Sequence, residues 1–215
     1  MENLPIIAML TIASGTLSLL CLLVLHFVSP EFKPNWRMVN EYANGKHKWL
    51  LTLMFIFWSA CSLFAAYLLW NLVTTRWAIF GVVLVFVSGI GALMGTLFDI
   101  KHKLHGLSFM LGIPTLPIGA LLISYYLAAT KGWSDFQPYV ILSAHSIWIS
   151  LVLMGVSMGL MFSGFKKAGV VMDKDAEPPK EVPKGVIAVG GYANRLLIVC
   201  YIGWLMLIAK IYLTL

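Results

Sequence analysis

Six apolar stretches, each long enough to cross a bilayer as a helix, constrain this chain more than any other feature. A crossing needs roughly 20 mainly apolar residues. Inside lipid every backbone N–H and C=O must be satisfied by the protein itself, which leaves helices or a closed barrel, and continuous apolar runs lack the alternation of barrel strands. The sequence therefore predicts an all-α membrane protein, a bundle of six transmembrane helices with short connections in one domain, 1–215. The predicted spans are about 5–28, 49–73, 77–98, 107–129, 138–164 and 191–213.

Composition supports a bilayer as the natural solvent of this chain. Charged residues make up 11% of the sequence, whereas soluble domains carry about 25%, so water could not cover so much apolar surface. The formal net charge is +6, but the lysines are scattered among connections and form no basic stripe with aromatic residues, which argues against nucleic acid as a partner. The three cysteines lie in separate apolar segments and indicate neither a disulfide framework nor a metal motif.

Lysine and arginine are distributed unequally between the two ends of the predicted bundle. The first, third and fifth connections hold eleven of them: Lys33, Arg37, Lys46, Lys48, Lys101, Lys103, Lys166, Lys167, Lys174, Lys180 and Lys184. The opposite side holds Arg76 and Lys131, and Lys210 lies near the end of the last span. Because cytoplasmic connections carry the excess of positive residues, we expect a multi-pass protein of the cell membrane with these three connections in the cytoplasm and both termini outside.

The first connection is too polar for a simple turn. Residues 26–48, HFVSPEFKPNWRMVNEYANGKHK, contain prolines, aromatic residues and charges of both signs. Arg37 and Glu41 are four residues apart, so on a short helix they would share one face. The sequence predicts an interfacial segment here, lying over the helix ends.

Small residues and prolines mark special positions within the spans. Gly91 and Gly95 form one small-xxx-small pair and Gly155 and Gly159 form another, and such pairs allow helix backbones to approach closely. We expect both to pack inside the bundle, with a homodimer face as the alternative. The fourth span contains two prolines, Pro114 and Pro117, which predict a kink or a locally unwound helix.

Several ionisable residues fall at the predicted cytoplasmic ends of the spans, where each invites a functional hypothesis. They are His26, Arg37, Glu41, Asp99, His102, His105 and Arg195. Arg195 lies one turn inside an otherwise apolar helix, and we expect it to be a buried partner of Asp99 or Glu41. Arg37 has the alternative of reaching lipid phosphates. The predicted ligand-binding residues are Arg37, Glu41, Asp99, His105 and Arg195.

The histidines raise the question of a metal site. His102 and His105 are three residues apart, and with Asp99 or His26 they would supply three ligands if the segment is helical. Two histidines alone are weak evidence, so we assign no metal site, and the cofactor, if any, stays unknown. His145 lies near the opposite end of the bundle, and we expect it to hydrogen-bond a neighbouring helix through Ser143, Ser146 or a backbone carbonyl.

Four motifs give the chain a family resemblance. LHFVSPEFKPNWRMVNEYANGKHKW, FDIKHKLHG, AHSIWIS and YANRLL resemble the domain-of-unknown-function 998 family of six-span prokaryotic membrane proteins over essentially the whole chain. The family often has a serine before Glu-Tyr, where this chain has Asn40. The resemblance implies a six-helix fold, a membrane location and a set of motif residues, but no activity.

Three functions remain open from the sequence. The first is a binding or transport-like protein that holds an anionic lipid headgroup or a small ligand in the cytoplasmic polar layer, with the arginines clamping phosphate or carboxylate. The second is a metal-dependent intramembrane enzyme acting on lipid, although no nucleophile elbow, HExxH or phosphate loop is present. The third is a structural partner of another membrane protein. Whether the chain is an enzyme stays open, and membrane lipids are the expected partners.

Overall fold

The computed structural model describes residues 3–98, 102–170, 179 and 181–215. In these ranges the secondary structure is helical, and no strand occurs. The α-helices are α1 (Leu4–Val28), α2 (Lys48–Trp70), α3 (Arg76–Leu97), α4 (His105–Gly112), α5 (Thr115–Ala128), α6 (Gln137–Lys167) and α7 (Gly190–Tyr212). Two short 3-10 helices, Val39–Asn44 and Ser134–Phe136, lie in connections.

Six helical segments are long and apolar enough to cross a membrane, with α4 and α5 together forming the fourth. The prediction of an all-α, six-span membrane protein is therefore confirmed. The interfacial segment expected after the first helix is present as the 3-10 helix Val39–Asn44, which packs on α2 and α7. Asp99, one of the predicted ligand-binding residues, lies outside the described residues.

Local chemistry explains where individual helices begin and end. The Thr75 hydroxyl accepts from the Ala78 N–H at 3.4 Å and caps the start of α3, which satisfies one of the free donors of a first helical turn. After α6, Gly169 adopts a φ of 76°, a conformation that side-chain-bearing residues disfavour. The N–H of Val170 then bonds the carbonyl of Phe165 at 3.0 Å, so the chain turns away from the helix axis.

The fourth span is broken, as its prolines predicted. Helix α4 ends at Gly112, and Pro114 precedes the first residue of α5. Proline has no N–H to donate, so the helical hydrogen-bond pattern is interrupted at this position. The carbonyl of Gly112 at the break accepts a hydrogen bond from the Tyr201 hydroxyl of α7 at 3.0 Å, so the backbone group freed by the break is satisfied within the bundle.

Helix α7 lies at the centre of the bundle and packs against α6, α1 and α2. Its Tyr201 and Trp204 side chains are fully buried, and the Trp204 indole donates to the Ser124 hydroxyl of α5 at 2.9 Å. By contrast, α6 has the smallest buried share of the six spans. The central position of α7 explains why the polar residues at its start are enclosed by other elements.

The two glycine pairs behave differently. A Cβ on Gly91 would lie 2.2 Å from the backbone nitrogen of Gly112, so α3 and α4 are in backbone contact there and the internal-packing prediction is confirmed at this position. The same prediction is wrong for Gly155 and Gly159, because no described atom lies within 4 Å of a Cβ added at either. The spacing of small residues identifies a small-residue face of a helix but not the direction in which this face points. In α6 the face points outward, away from the other helices.

Candidate functional site

The residues predicted to form a polar layer meet at one end of the bundle. We call this the first-connection end: it comprises residues 29–47 and the adjoining ends of α1, α2, α3, α4, α6 and α7. Of the predicted ligand-binding residues, Arg37, Glu41, His105 and Arg195 all lie here, linked through the first connection. Lateral convergence of these helix ends is thus a property of the fold that the sequence alone did not reveal.

Arg195 is a buried charged residue at this end, with 9% of its surface exposed. Its Nε donates to Nε2 of His26 at 2.6 Å, and its Nη2 donates to the Tyr42 hydroxyl at 3.2 Å. Its Nη1 is shared among three backbone carbonyls: those of Arg37 at 2.7 Å, Gly191 at 2.9 Å and Pro34 at 3.3 Å. Nearly every donor of the guanidinium is therefore used within the protein.

The tautomer of His26 follows from its two neighbours. Nδ1 lies 2.6 Å from the carbonyl of Leu22 and must donate, while Nε2 faces the Nε–H of Arg195 and must accept. The ring is therefore neutral in this arrangement, because a second ring proton would point at the arginine donor. His26 helps Arg195 to hold the first connection, and both of its ring nitrogens are occupied.

These contacts correct the expectation that Arg195 is the partner of Glu41. No ion pair joins Arg195 to Glu41, because the Glu41 carboxylate is bonded to Arg37 instead. Asp99, the other expected partner, lies outside the described residues. The described partners of the buried arginine are a neutral imidazole, a phenol and carbonyl oxygens, which disperse its charge through hydrogen bonds.

Arg37 and Glu41, which the sequence placed on one face of a short helix, form an ion pair. Arg37 Nη1 and Glu41 Oε2 are 2.6 Å apart, with 12% and 17% of the two side chains exposed. The other carboxylate oxygen accepts from the Met38 N–H at 2.7 Å. Arg37 Nη2 donates to the carbonyl of Pro179 at 2.7 Å, and the guanidinium lies 4.1 Å from the centre of the Trp36 ring. Both residues of the pair thus belong to the first connection, and Arg37 also joins it to the fifth connection through the hydrogen bond to Pro179.

His105 joins α3, α4 and the first connection. Its Nδ1 is 3.0 Å from the carbonyl of Phe98, and its Nε2 is 3.2 Å from Nδ2 of Asn40. In the sequence Asn40 was recognisable only as a departure from the family pattern, and it was not among the predicted site residues. His102 is exposed, with its ring stacked on Phe98 at 4.5 Å.

The candidate metal ligands His26, His102 and His105 are not gathered by the described part of the fold. No group of three or more histidine, cysteine, aspartate or glutamate residues that could hold a metal occurs among the described residues. Both ring nitrogens of His26 and of His105 already have hydrogen-bond partners. A metal would have to displace these bonds, including the one that orients Arg195.

Behind the 3-10 helix Val39–Asn44 is a partly open cavity of about 130 Å³. Residues of α2, α3, α4, α6, α7 and the first connection line it: Met38, Val39, Asn40, Phe55, Trp58, Gly91, Ala92, Gly95, His105, Ser108, Phe109, Gly112, Ile113, Met154, Met158, Asn194 and Ile198. Most of these side chains are apolar. Helix α4 packs on α3 and α5, and Phe109 of α4 is half-exposed, so the cavity reaches the lipid-facing surface of the bundle.

A few polar groups interrupt the apolar lining. Asn40 Oδ1 and Trp58 Nε1 are buried without a hydrogen-bond partner anywhere in the described part of the chain. Asn194 accepts from the Val39 N–H through Oδ1 at 3.0 Å, and its Nδ2 contacts the Met154 sulfur at 3.4 Å. Because buried polar atoms in folded proteins nearly always have partners, the two unpaired atoms indicate a missing partner.

Sequence reasoning missed this cavity because most of its lining consists of ordinary apolar residues. The available signals were the two asparagines, Asn40 and Asn194, which are costly to bury and stand next to motif residues. The break before α5 was a third signal. Neither hydropathy nor residue spacing shows that these positions face one space.

At the opposite end of the bundle, His145 bonds a neighbouring helix, as expected. Its Nε2 is 3.1 Å from the Tyr125 hydroxyl of α5, and its Nδ1 accepts from the Trp148 indole at 2.8 Å. The expected partners were different, because the hydroxyls of Ser143 and Ser146 bond carbonyls of their own helix. This cluster is distant from the first-connection end and has no part in the cavity.

A comparison with protein families gives one match. The model of a family described as "Protein of unknown function (DUF998)" matches residues 12–210, a range that includes most of α1 and of α7, the four spans between them and the first connection. No curated protein and no solved structure matches the chain.

Proposed function

The chain belongs to the DUF998 family of proteins of unknown function, and from this premise we propose that it is a multi-pass membrane protein that binds a small lipid-type ligand. The binding site is the cavity behind Val39–Asn44. The ligand places its apolar part among the side chains of α2, α3, α4 and α6, and its polar group against Asn40.

The observation that carries the proposal is an apolar cavity that holds unpaired polar atoms. Ligand sites are typically concave and mainly apolar, with a few placed polar groups that orient the ligand. The polar atoms here are Asn40 Oδ1 and Trp58 Nε1. An empty cavity would leave both atoms without partners, and each unpaired buried group destabilises a fold by about 1–3 kcal/mol. A ligand with a polar end supplies a partner and fills the space.

An anionic headgroup clamped by Arg37 and Arg195 receives less support. Arg195 already donates to His26, Tyr42 and backbone carbonyls. Arg37 is paired with Glu41 and bonds Pro179, which leaves only its Nε without a partner in the described part of the chain. Binding an anion here would require breaking these bonds. The two arginines support the ligand site by fixing the first connection over the cavity.

The orientation of the protein is part of the proposal. Eleven of the fifteen lysines and arginines lie in the first, third and fifth connections or at the helix ends that adjoin them, and such an excess marks the cytoplasmic side. The cavity then opens toward the cytoplasmic leaflet, with both termini outside. A ligand would come from that leaflet or from the cytoplasm.

Neither alternative function is favoured by a specific contact. A metal-dependent lipid enzyme would use His102, His105 and His26, whose described surroundings give no metal cluster. A structural partner, or a homodimer, would use the outward face that carries Gly155 and Gly159, and small residues on a helix surface do not identify what covers them.

A photoreactive probe tests the proposal. The purified protein is reconstituted in phosphatidylcholine nanodiscs with a twelve-carbon alkyl chain that carries a diazirine, and labelled peptides are identified by mass spectrometry. We expect labelling of the α4 and α6 segments around Phe109 and Met158, because both residues line the cavity. Saturation of this labelling with probe concentration would distinguish a site from general contact with lipid.

A cavity-filling variant provides the control. Gly95→Leu should abolish the saturable labelling, because a Cβ at Gly95 meets Phe55 at an ordinary 3.6 Å and the longer side chain can extend into the cavity that Gly95 lines. Gly155→Leu is the matched variant, since no described atom lies within 4 Å of that Cβ, and it should label like the native chain. Equal labelling of both variants, or no saturable labelling in the native chain, would refute the ligand site.

A further inference from the structure

The geometry of the cavity points to the chemical class of its ligand: we propose that the polar end is an uncharged hydroxyl group that donates a hydrogen bond to Oδ1 of Asn40. This inference rests on the proposed function and makes it more specific. The ligand is a single-chain or ring-containing amphiphile with a neutral hydroxyl end, such as a long-chain alcohol, and not a phosphate- or carboxylate-bearing lipid.

The orientation of the Asn40 amide is the first step. Amide oxygen and nitrogen are distinguished by their hydrogen-bond partners. His105 Nδ1 is 3.0 Å from the carbonyl of Phe98, so that nitrogen carries a proton, and in the neutral ring Nε2 is then an acceptor. Nε2 is 3.2 Å from the Asn40 amide, and only the NH₂ group can donate to it. The carbonyl of Phe98 thus determines, through the His105 ring, that Asn40 presents Oδ1 as its unpaired atom.

An unpaired acceptor calls for a donor on the ligand. Asn40 Oδ1 is buried and has no partner within the described ranges. A phosphate or carboxylate end would place negative oxygen against this oxygen and leave it unsatisfied. A hydroxyl, an amide N–H or an ammonium group would satisfy it. The acceptor therefore excludes anionic ends and leaves donor-bearing ends.

The charge of the lining decides between the donors that remain. Among the described residues that line the cavity there is no aspartate, glutamate, lysine or arginine, and the only titratable ring of this described lining is that of His105. Both of its ring nitrogens have hydrogen-bond partners. Burying an ammonium group without a counter-charge is far more costly than burying a neutral polar group that finds a hydrogen bond. An uncharged end fits this lining, and a cation does not.

A hydroxyl also suits the remaining polar groups and the size of the cavity. It accepts as well as donates, and Trp58, whose Nε1 is a buried donor without a hydrogen-bond partner in the described part of the chain, lines the same cavity. The volume is about 130 Å³, and apolar cavities of roughly this size bind a small ring or hydrocarbon group. There is room for one chain or ring and the smallest of the polar ends, while each further polar atom would need another partner that the lining lacks.

Three competitors of equal chain length test this inference. Dodecan-1-ol, its methyl ether and dodecyl phosphate are each titrated against saturable labelling by the photoreactive alkyl probe. The alcohol can donate to Asn40, the ether can only accept, and the phosphate brings charge. We expect the alcohol to compete roughly 10-fold more strongly than the ether, as the loss of one hydrogen bond to a buried group implies, and the phosphate to compete least at the cavity.

Asn40→Leu then assigns the preference to one side chain. This variant should bind alcohol and ether equally well, because its side chain has no acceptor. Asn44→Leu, an exposed position of the same 3-10 helix, should retain the difference. Because the comparison of alcohol with ether is made on the native protein, it remains decisive if Asn40→Leu fails to fold.

The two proposals fail in different ways. If alcohol and ether compete equally with the native protein, or if the phosphate competes best, the hydroxyl inference is overturned, while saturable labelling that Gly95→Leu abolishes still supports the ligand site. If labelling is insensitive to Gly95→Leu, the ligand site itself is refuted.

Discussion

Nε of Arg195 on α7 donates to Nε2 of His26 on α1 over 2.6 Å, across 169 residues of sequence. The same guanidinium bonds carbonyls at both ends of the Pro34–Arg37 segment and the hydroxyl of Tyr42. One buried side chain thus connects the first helix, the last helix and the connection that covers the cavity. Its role is to position the first connection, since few of its donors are free to reach a ligand.

Arg195→Lys should therefore destabilise the protein, although it keeps the charge. A lysine ammonium has three donors at one point and cannot reach acceptors spread around a planar fork. Leaving several buried acceptors unpaired should lower the free energy of unfolding by about 2–4 kcal/mol. The measurement is thermal unfolding in detergent, together with limited proteolysis of the first connection. Arg76→Lys, an exposed arginine at the start of α3, is the control, and equal effects of the two substitutions would contradict the positioning role.

The Arg37–Glu41 pair should show measurable coupling in a double-mutant cycle of Arg37→Gln and Glu41→Gln. The two side chains are mostly buried and the pair is close, so we expect a coupling of about 1–2 kcal/mol, more than the small values of exposed pairs. The readout is the midpoint of thermal unfolding. Glu31→Gln, at an exposed position of the same connection, should change the midpoint little. Additive effects of the two single changes would show that the ion pair contributes nothing.

Gly91→Ala should separate α3 from α4. The added methyl would lie 2.2 Å from the Gly112 nitrogen and 2.5 Å from its Cα, and both are backbone atoms that cannot move away without shifting a helix. Overpacking of this kind destabilises by about 1–3 kcal/mol, and it should also weaken saturable probe labelling because both glycines line the cavity.

Gly155→Ala is the matched comparison for Gly91→Ala. Its Cβ meets no described atom within 4 Å, and alanine is the better helix former by about 0.5–1 kcal/mol. The midpoint of thermal unfolding should stay the same or rise. Destabilisation by Gly155→Ala similar to that by Gly91→Ala would mean that the outward face of α6 is packed against another chain.

Cysteine labelling should reveal the orientation in the membrane. Lys46→Cys and Lys131→Cys lie at exposed positions on opposite ends of the bundle. The first-connection end carries the excess of lysine and arginine, and we expect it to be cytoplasmic. A membrane-impermeant maleimide should then label Lys131→Cys in intact cells and Lys46→Cys only after permeabilisation. Each variant is made in a background in which the native cysteines are replaced by alanine. The reverse pattern would place the cavity on the outer side.

Part of the candidate site followed from local sequence rules. Arg37 and Glu41 are four residues apart, and they lie on one face as expected, where they form an ion pair. The burial of Arg195 was expected from its place one turn inside an apolar helix. Its partners were not, because they depend on how the first connection folds back over α7, a long-range arrangement that no local spacing encodes. His105 was expected in the layer, whereas the Asn40 amide that it orients was overlooked.

The sequence by itself determined that this chain crosses a membrane six times and that its fourth span breaks near Pro114. Both follow from strong local physics: hydrocarbon accepts only long apolar helices with satisfied backbones, and proline cannot continue a helical hydrogen-bond pattern. Tertiary structure alone decided that Gly91 faces Gly112 while Gly155 faces outward, and that Asn40, Trp58 and Asn194 share one cavity. These outcomes depend on the rotation and lateral position of each helix, which hydropathy does not encode and which the packing of side chains between helices selects.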